Sequence, residues 1–121
     1  MIEADAGNPM LYNNRCWLKA TRNIKTDTAV ADCDVALKTT PRNAAALDSR
    51  ALAWLRQGKF QQSIADYDAA LAERPGQASS VFGRSLAKAG AGDASGAAAD
   101  REAAMKINSK IAEEYADYGF K

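Results

Sequence analysis

Asp32, Asp66 and Asp100 stand 34 residues apart. The same interval relates Ala36, Ala70 and Ala104, and it relates the small residues Ala29, Ser63 and Ala97. Pro41 and Pro75 keep it, with Ser109 in the third place, and so do Arg50 and Arg84. Arg15 lies 35 before Arg50, which predicts one additional residue in a turn near Asn23 to Thr26. A period of this length marks one supersecondary unit copied along the chain, each copy burying its apolar face against its neighbours. An irregular helical bundle has no reason to carry it. The register stacks Tyr12, Leu47 and Val81, then Cys16, Ala51 and Ser85, then Trp17, Leu52 and Leu86.

The unit itself is clearest from Ala44 to Pro75, AAALDSRALAWLRQGKFQQSIADYDAALAERP. Leu47, Ala51, Trp54 and Leu55 fall on one face of a first helix, and Ile64, Tyr67, Ala70 and Leu71 on one face of a second, with a turn at Gly58-Lys59. Pro75 has no N–H and disfavours helix in the residue before it, so it ends the second helix. The same reading places helices at about Met10–Arg22 and from a cap at Thr26 or Asp27 to about Thr39. In the third unit a helix runs from about Ala78 to the turn at Gly90–Gly92, and the next starts at a cap on Asp93. Gly96, early in that helix, costs about 1 kcal/mol relative to alanine. A seventh helix over about 109–118 carries Ile111, Ala112, Tyr115 and Tyr118 on one side and ends at Gly119. It is expected to cover the exposed face of the third unit. The stretch 1–9 is polar and reads as a flexible N-terminal segment, as in a piece of a longer protein.

Composition narrows the function classes. The 121 residues suffice for one domain with a modest core. Sixteen basic and fifteen acidic residues leave a net charge of +1, too balanced for a general binder of nucleic acid backbones. No apolar run approaches the ~20 residues of a membrane span, and no signal-peptide core is present in this chain. There is no histidine, so the commonest general base and the commonest metal ligand are both missing. Gly90, Gly92 and Gly96 join two helices rather than a strand and a helix, which makes them a turn and not a phosphate loop. Two cysteines without a histidine make a poor zinc site. The expectation is a protein that is not an enzyme and uses no cofactor or metal.

The spacing Leu47-x-x-Arg50-Ala51-x-x-Trp54, then Ser63-x-x-x-Tyr67, then Ala70 and Pro75, resembles the tetratricopeptide repeat (TPR), a 34-residue helix–turn–helix. The resemblance covers most of the chain, with repeats at about 10–43, 44–77 and 78–109 inside a single domain over 10–121. It implies an all-α solenoid wound as a right-handed superhelix, with the seventh helix as its cap. It also implies a protein–protein interaction scaffold whose first helices line a concave groove for a peptide or protein segment. The groove slots fall on Asn13 and Trp17, with Ala20 and Thr21, in the first repeat. In the second they fall on Asp48, Leu52, Leu55 and Arg56, and in the third on Phe82 and Leu86, with Ser79 and Ala89. The carboxylate clamp of one TPR subclass is absent: its slots hold Asn13, Trp17, Ser49, Ser79 and Gly83. The alternative is a structural or self-associating TPR module, as a homodimer or packed on another part of a larger, enzymatic protein.

Two further expectations concern polar and sulfur groups. Arg15, Arg50 and Arg84 take a slot that the family pattern gives to leucine, and share the period of Asp32, Asp66 and Asp100. Charges on packed faces need partners, so the series predicts a ladder of Arg–Asp pairs between each second helix and a neighbouring first helix. The alternative is packed arginine stems with heads reaching water independently. In the TPR register Cys16 and Cys33 face each other within the first hairpin. They are either two buried thiols or a disulfide, and geometry decides between them. A disulfide implies a periplasmic or exported protein, and free thiols a cytoplasmic one.

Overall fold

The period is visible in the helix starts: the residues preceding α2, α4 and α6 are Lys25, Lys59 and Asp93, each 34 from the last. The computed structural model describes residues 9–120. Of the expected flexible stretch 1–9, residues 1–8 lie outside the described residues, and Pro9 is the first residue of a helix. The chain is all-helical, with seven helices and no strand among the described residues. In order they are α1 (Pro9–Arg22), α2 (Thr26–Thr39), α3 (Ala44–Arg56), α4 (Phe60–Glu73), α5 (Ala78–Gly90), α6 (Ala94–Ile107) and α7 (Ile111–Asp117). Helices α1 and α2, α3 and α4, and α5 and α6 pack as neighbouring pairs, and each pair packs on the next.

The turns explain why the arginine series slips by one residue. Gly58 and Gly92 adopt left-handed backbone after α3 and α5, and the next residue, Lys59 or Asp93, already precedes the following helix. After α1 both Asn23 and Lys25 are left-handed, and Ile24 and Lys25 follow Asn23 before α2 begins. Counted from Asn23, the first turn therefore holds one more residue than the others do from Gly58 and Gly92, while all three connections between helix ends span three residues. Neither Thr26 nor Asp27 caps α2 as the sequence suggested. Lys25 occupies the capping position without a side-chain bond, and the Thr28 hydroxyl donates to its carbonyl at 2.8 Å. Asp93 does cap α6, accepting from the Gly96 N–H at 2.9 Å.

Alanine-rich faces let the helices approach closely, and two apolar clusters result. The larger includes Cys16, Leu52, Leu55, Phe82, Ile111 and Tyr115; the smaller is built on Leu37, Leu47 and Ala70. The second and third pairs approach closely at Gly83. The buried Tyr67 ring of α4 lies over it, and a Cβ there would sit 2.2 Å from that ring. Cys16 of α1 and Cys33 of α2 are joined by a disulfide with Cα atoms 5.5 Å apart. Closing a loop with this sequence separation of 17 contributes about 3 kcal/mol on the chain-entropy account.

A polar cluster repeats at two of the joints. Arg50 donates two parallel hydrogen bonds to Asp66 at 2.7 and 2.8 Å, and a third to Asp34 of the preceding pair at 2.8 Å. Arg84 does the same with Asp100 at 2.8 and 2.9 Å and with Asp68 at 2.9 Å. Each guanidinium thus ties its own second helix to the one before, and these hydrogen bonds raise both arginines' affinity for their proton. Arg15 does not join the series. Asp32 is held instead by Lys19 at 2.8 Å, and Arg15 lies exposed over the Tyr12 ring. No earlier helix among the described residues supplies the second carboxylate that Arg50 and Arg84 have.

These clusters carry unequal weight. The Asp66 carboxylate is 10% exposed and Asp34 56% exposed. A double-mutant cycle of Arg50→Met with Asp66→Asn should give a coupling of about 1–2 kcal/mol, because it removes a paired, partly buried charge. The cycle with Asp34→Asn should give under ~0.5 kcal/mol, as for a solvated pair. Urea denaturation measures both, and equal couplings would contradict this ranking.

Candidate functional site

The face formed by the first helices α1, α3 and α5 carries all the candidate groove residues, and the C-terminal segment lies across it. The positioning of that segment is local. Gly119 takes φ +102, a conformation cheap only for glycine. Its N–H then bonds the Ala116 carbonyl at 2.9 Å, and the Phe120 N–H bonds the Tyr115 carbonyl at 3.0 Å. This closes α7 with a doubly bonded left-handed cap and folds Phe120 back beside Tyr115, ring centroids 5.8 Å apart.

From there the segment reaches all three helix pairs. Tyr115 is fully buried, packs on Phe82 with centroids 4.8 Å apart, and donates its hydroxyl to the Ser79 carbonyl at 2.6 Å. Tyr118 meets Trp17 edge-on at 5.6 Å. Arg56 bonds the Tyr118 carbonyl and stacks on Phe120 at 4.1 Å, while donating to the Ala20 and Thr21 carbonyls at the end of α1 at 2.8 and 2.9 Å. The expectation that this helix covers the exposed face of the third unit is therefore too narrow. It does touch α5 and α6, but it also spans the first-helix face back to α1.

This changes what the candidate residues do. Leu52, Leu55 and Phe82 are buried, and Leu86 is partly covered in a small recess shared with Ala112, Ala116 and Phe120. Arg56 is committed to carbonyls on two elements and to an aromatic ring. Asn13, Trp17 and Asp48 remain together at an open cleft of about 330 Å³ between this face and α7. Asn13 accepts from the Ser49 hydroxyl at 2.7 Å, which fixes its amide at one wall.

Asp48 forms the floor. It is 5% exposed and accepts from the Ser80 hydroxyl at 2.8 Å and the Ser79 hydroxyl at 3.3 Å. Among the described residues no basic side chain forms an ion pair with it. Burial disfavours the charged carboxylate more than the two serines stabilise it, and its pKa is pushed up to about 6. The Tyr67 hydroxyl behind it is buried and makes no hydrogen bond of good geometry, and the neighbouring Tyr115 hydroxyl donates to the Ser79 carbonyl. Burial pushes both phenols well above their usual range.

Sequence reasoning did not place Tyr115, Tyr118 and Phe120 in this site, although three aromatics within six residues of a glycine stop were a usable signal. It also passed over Asp34 and Asp68, which share the 34-residue interval. Among the described residues no three His, Cys, Asp or Glu side chains gather as they would around a metal ion, and no helix is long and apolar enough to cross a membrane. Compared with known proteins, the chain matches no family model and no curated protein.

Proposed function

We propose that the chain is a TPR-type α-solenoid, three helix–turn–helix units in a right-handed superhelix, and that it is a non-catalytic module binding a segment of another protein. The recurrence of one arginine–aspartate cluster at α3 and α5, with the same spacing, supports the repeat assignment. The binding reading is carried by the open cleft at Asn13, Trp17 and Asp48. The chain's own C-terminal segment packs on Phe82 and Arg56 of the first-helix face, whereas this part stays accessible with an aromatic wall and fixed polar groups, as ligand sites do. Tyrosine and tryptophan at such a rim are the residue types that dominate protein interfaces. The Cys16–Cys33 disulfide supports a periplasmic or exported setting for the module.

Selection from a displayed library of random peptides tests this reading. Enriched peptides should lose affinity by about tenfold or more against Trp17→Ala, a loss typical of an interface anchor. Failure to enrich any peptide, or full affinity in a folded Trp17→Ala variant, overturns it. The self-association alternative draws on Leu18 and Ile24, exposed apolar residues on the first hairpin. A concentration-dependent dimer in sedimentation, abolished by Leu18→Lys, would favour it.

A further inference from the structure

The cleft floor is the least ordinary feature of this chain. A carboxylate this deeply buried is usually paired with a cation, and every other interior aspartate here is: Asp66 with Arg50, Asp100 with Arg84 and Lys88, Asp32 with Lys19. Among the described residues Asp48 has two serine hydroxyls and no counter-ion. The walls around it hold Trp17, Tyr115 and Tyr118, the Asn13 and Gln77 amides, and a second carboxylate, Glu114, at the mouth; no lysine or arginine lines the cleft among the described residues. Aromatic faces and edges beside a desolvated carboxylate favour one class of ligand, because ring quadrupoles and carboxylate both attract positive charge.

We propose that this cleft binds an organic cation, an alkylammonium or alkylguanidinium group, with its charge against Asp48 and its carbon stem along Trp17 and Tyr118. The inference deepens the peptide-binding reading by naming the anchor as a lysine or arginine side chain, and it holds separately if the cation is a free amine. The charged head would take the lone pairs that Ser79 and Ser80 leave on Asp48, and the amides of Asn13 and Gln77 offer carbonyl acceptors to its remaining N–H groups. A volume of about 330 Å³ admits one such side chain rather than a folded element.

The site differs from a general acidic patch in its dependence on a single group. Among the described residues the ionisable groups facing Asp48 are Tyr67 on α4, Glu114 and Tyr115 on α7, and Tyr118 directly after it; α1 and α5 contribute only neutral side chains to the cleft. The tyrosines stay neutral below pH 8, since burial raises all three. Binding should therefore weaken as the pH falls through the range in which Asp48 takes up its proton, and Glu114→Gln should leave that dependence in place.

The test is a nuclear magnetic resonance titration of the full chain, following the Trp17 indole signal as assigned by Trp17→Phe. The probes are butylguanidinium, n-butylammonium and the neutral isostere butylurea, at pH 7.5 and pH 4.5. Both cations should shift the indole saturably at pH 7.5, with butylurea at least about tenfold weaker. Asp48→Asn should weaken the cations to the butylurea level while remaining folded. Equal shifts from butylurea, or Asp48→Asn with unchanged cation affinity, overturn the proposal. The wild-type comparison between the two pH values gives the same decision without a variant, and equal cation affinity at both also overturns it. An arginine-containing peptide and its citrulline counterpart identify the source. Preference for arginine over citrulline supports a protein-borne cation. Binding of free butylguanidinium without any peptide binding supports the cation site and sinks the peptide-binding reading. Selected peptides that bind without a basic residue, with no butylguanidinium shift, leave peptide binding intact and sink the cation site.

Discussion

Tyr115→Ala should destabilise the protein by about 3–5 kcal/mol, the range for removing a buried aromatic side chain. Tyr115 is fully buried between Phe82, Tyr118 and Phe120, and its hydroxyl serves the Ser79 carbonyl. Removing the ring opens a cavity and uncovers Phe82, and the seven-residue α7 is too short to persist without that packing. Tyr115→Phe keeps the ring and loses one hydrogen bond, so its cost should be about 1 kcal/mol. Denaturant titration gives both values. A second readout follows from the reach of the segment. Tyr118 contacts Trp17 at the far end of the first-helix face, so Tyr115→Ala should also change Trp17 fluorescence, with Trp54→Phe as background. A cost below 1 kcal/mol with unaltered Trp17 emission would mean that α7 does not rest on this face in solution.

The same residues show what the sequence reveals and what it does not. Seven helices, their turns and their pairing follow from local signals: apolar spacing, Pro41 and Pro75, and the glycines that leave α3 and α5. Those signals act within one or two turns of chain, where backbone stereochemistry dominates. The extra residue after Asn23 was likewise legible from the 35-residue step between Arg15 and Arg50. Arg15's exclusion from the ladder was not. It depends on the missing carboxylate of an earlier helix and on Lys19 taking Asp32, and neither is a property of Arg15 or its neighbours. The candidate groove residues pose the same problem. Leu52, Leu55 and Phe82 carry the spacing of a lining face whether they stay open to a partner or are buried within the chain, as Phe82 is beneath Tyr115. Only the non-local course of residues 111–120 separates those cases, and it leaves Asn13, Trp17 and Asp48 at an opening.

Asp48 should make the protein less stable as the pH rises from about 4 to about 6, the reverse of the usual behaviour of paired carboxylates. Desolvation holds its folded-state pKa at about 6, whereas the unfolded chain ionises near the ordinary value of 3.8. Between those values the folded state keeps a proton that the unfolded state has released, so raising the pH favours unfolding. Above both, the loss levels off at on the order of 3 kcal/mol. Asp100 acts oppositely and at lower pH. Burial would raise it, but Arg84 and Lys88 outweigh burial and hold it below the ordinary range, so its contribution fades only as the pH falls beneath that range. Subtracting the Asp48→Asn profile from the wild-type profile cancels Asp100 and the remaining carboxylates, while Tyr67, Tyr115 and Tyr118 stay neutral throughout. Asparagine keeps the shape and accepts from at least one of Ser79 and Ser80 without a charge to desolvate. Asp48→Asn should therefore match the wild type near pH 4 and exceed it by on the order of 3 kcal/mol at pH 8. Urea unfolding of both proteins at half-unit intervals from pH 4 to pH 8 measures the difference curve. A flat curve would show that Asp48 carries no desolvation penalty in the folded state, and with it would go the reason for expecting an unmatched charge at the base of the cleft.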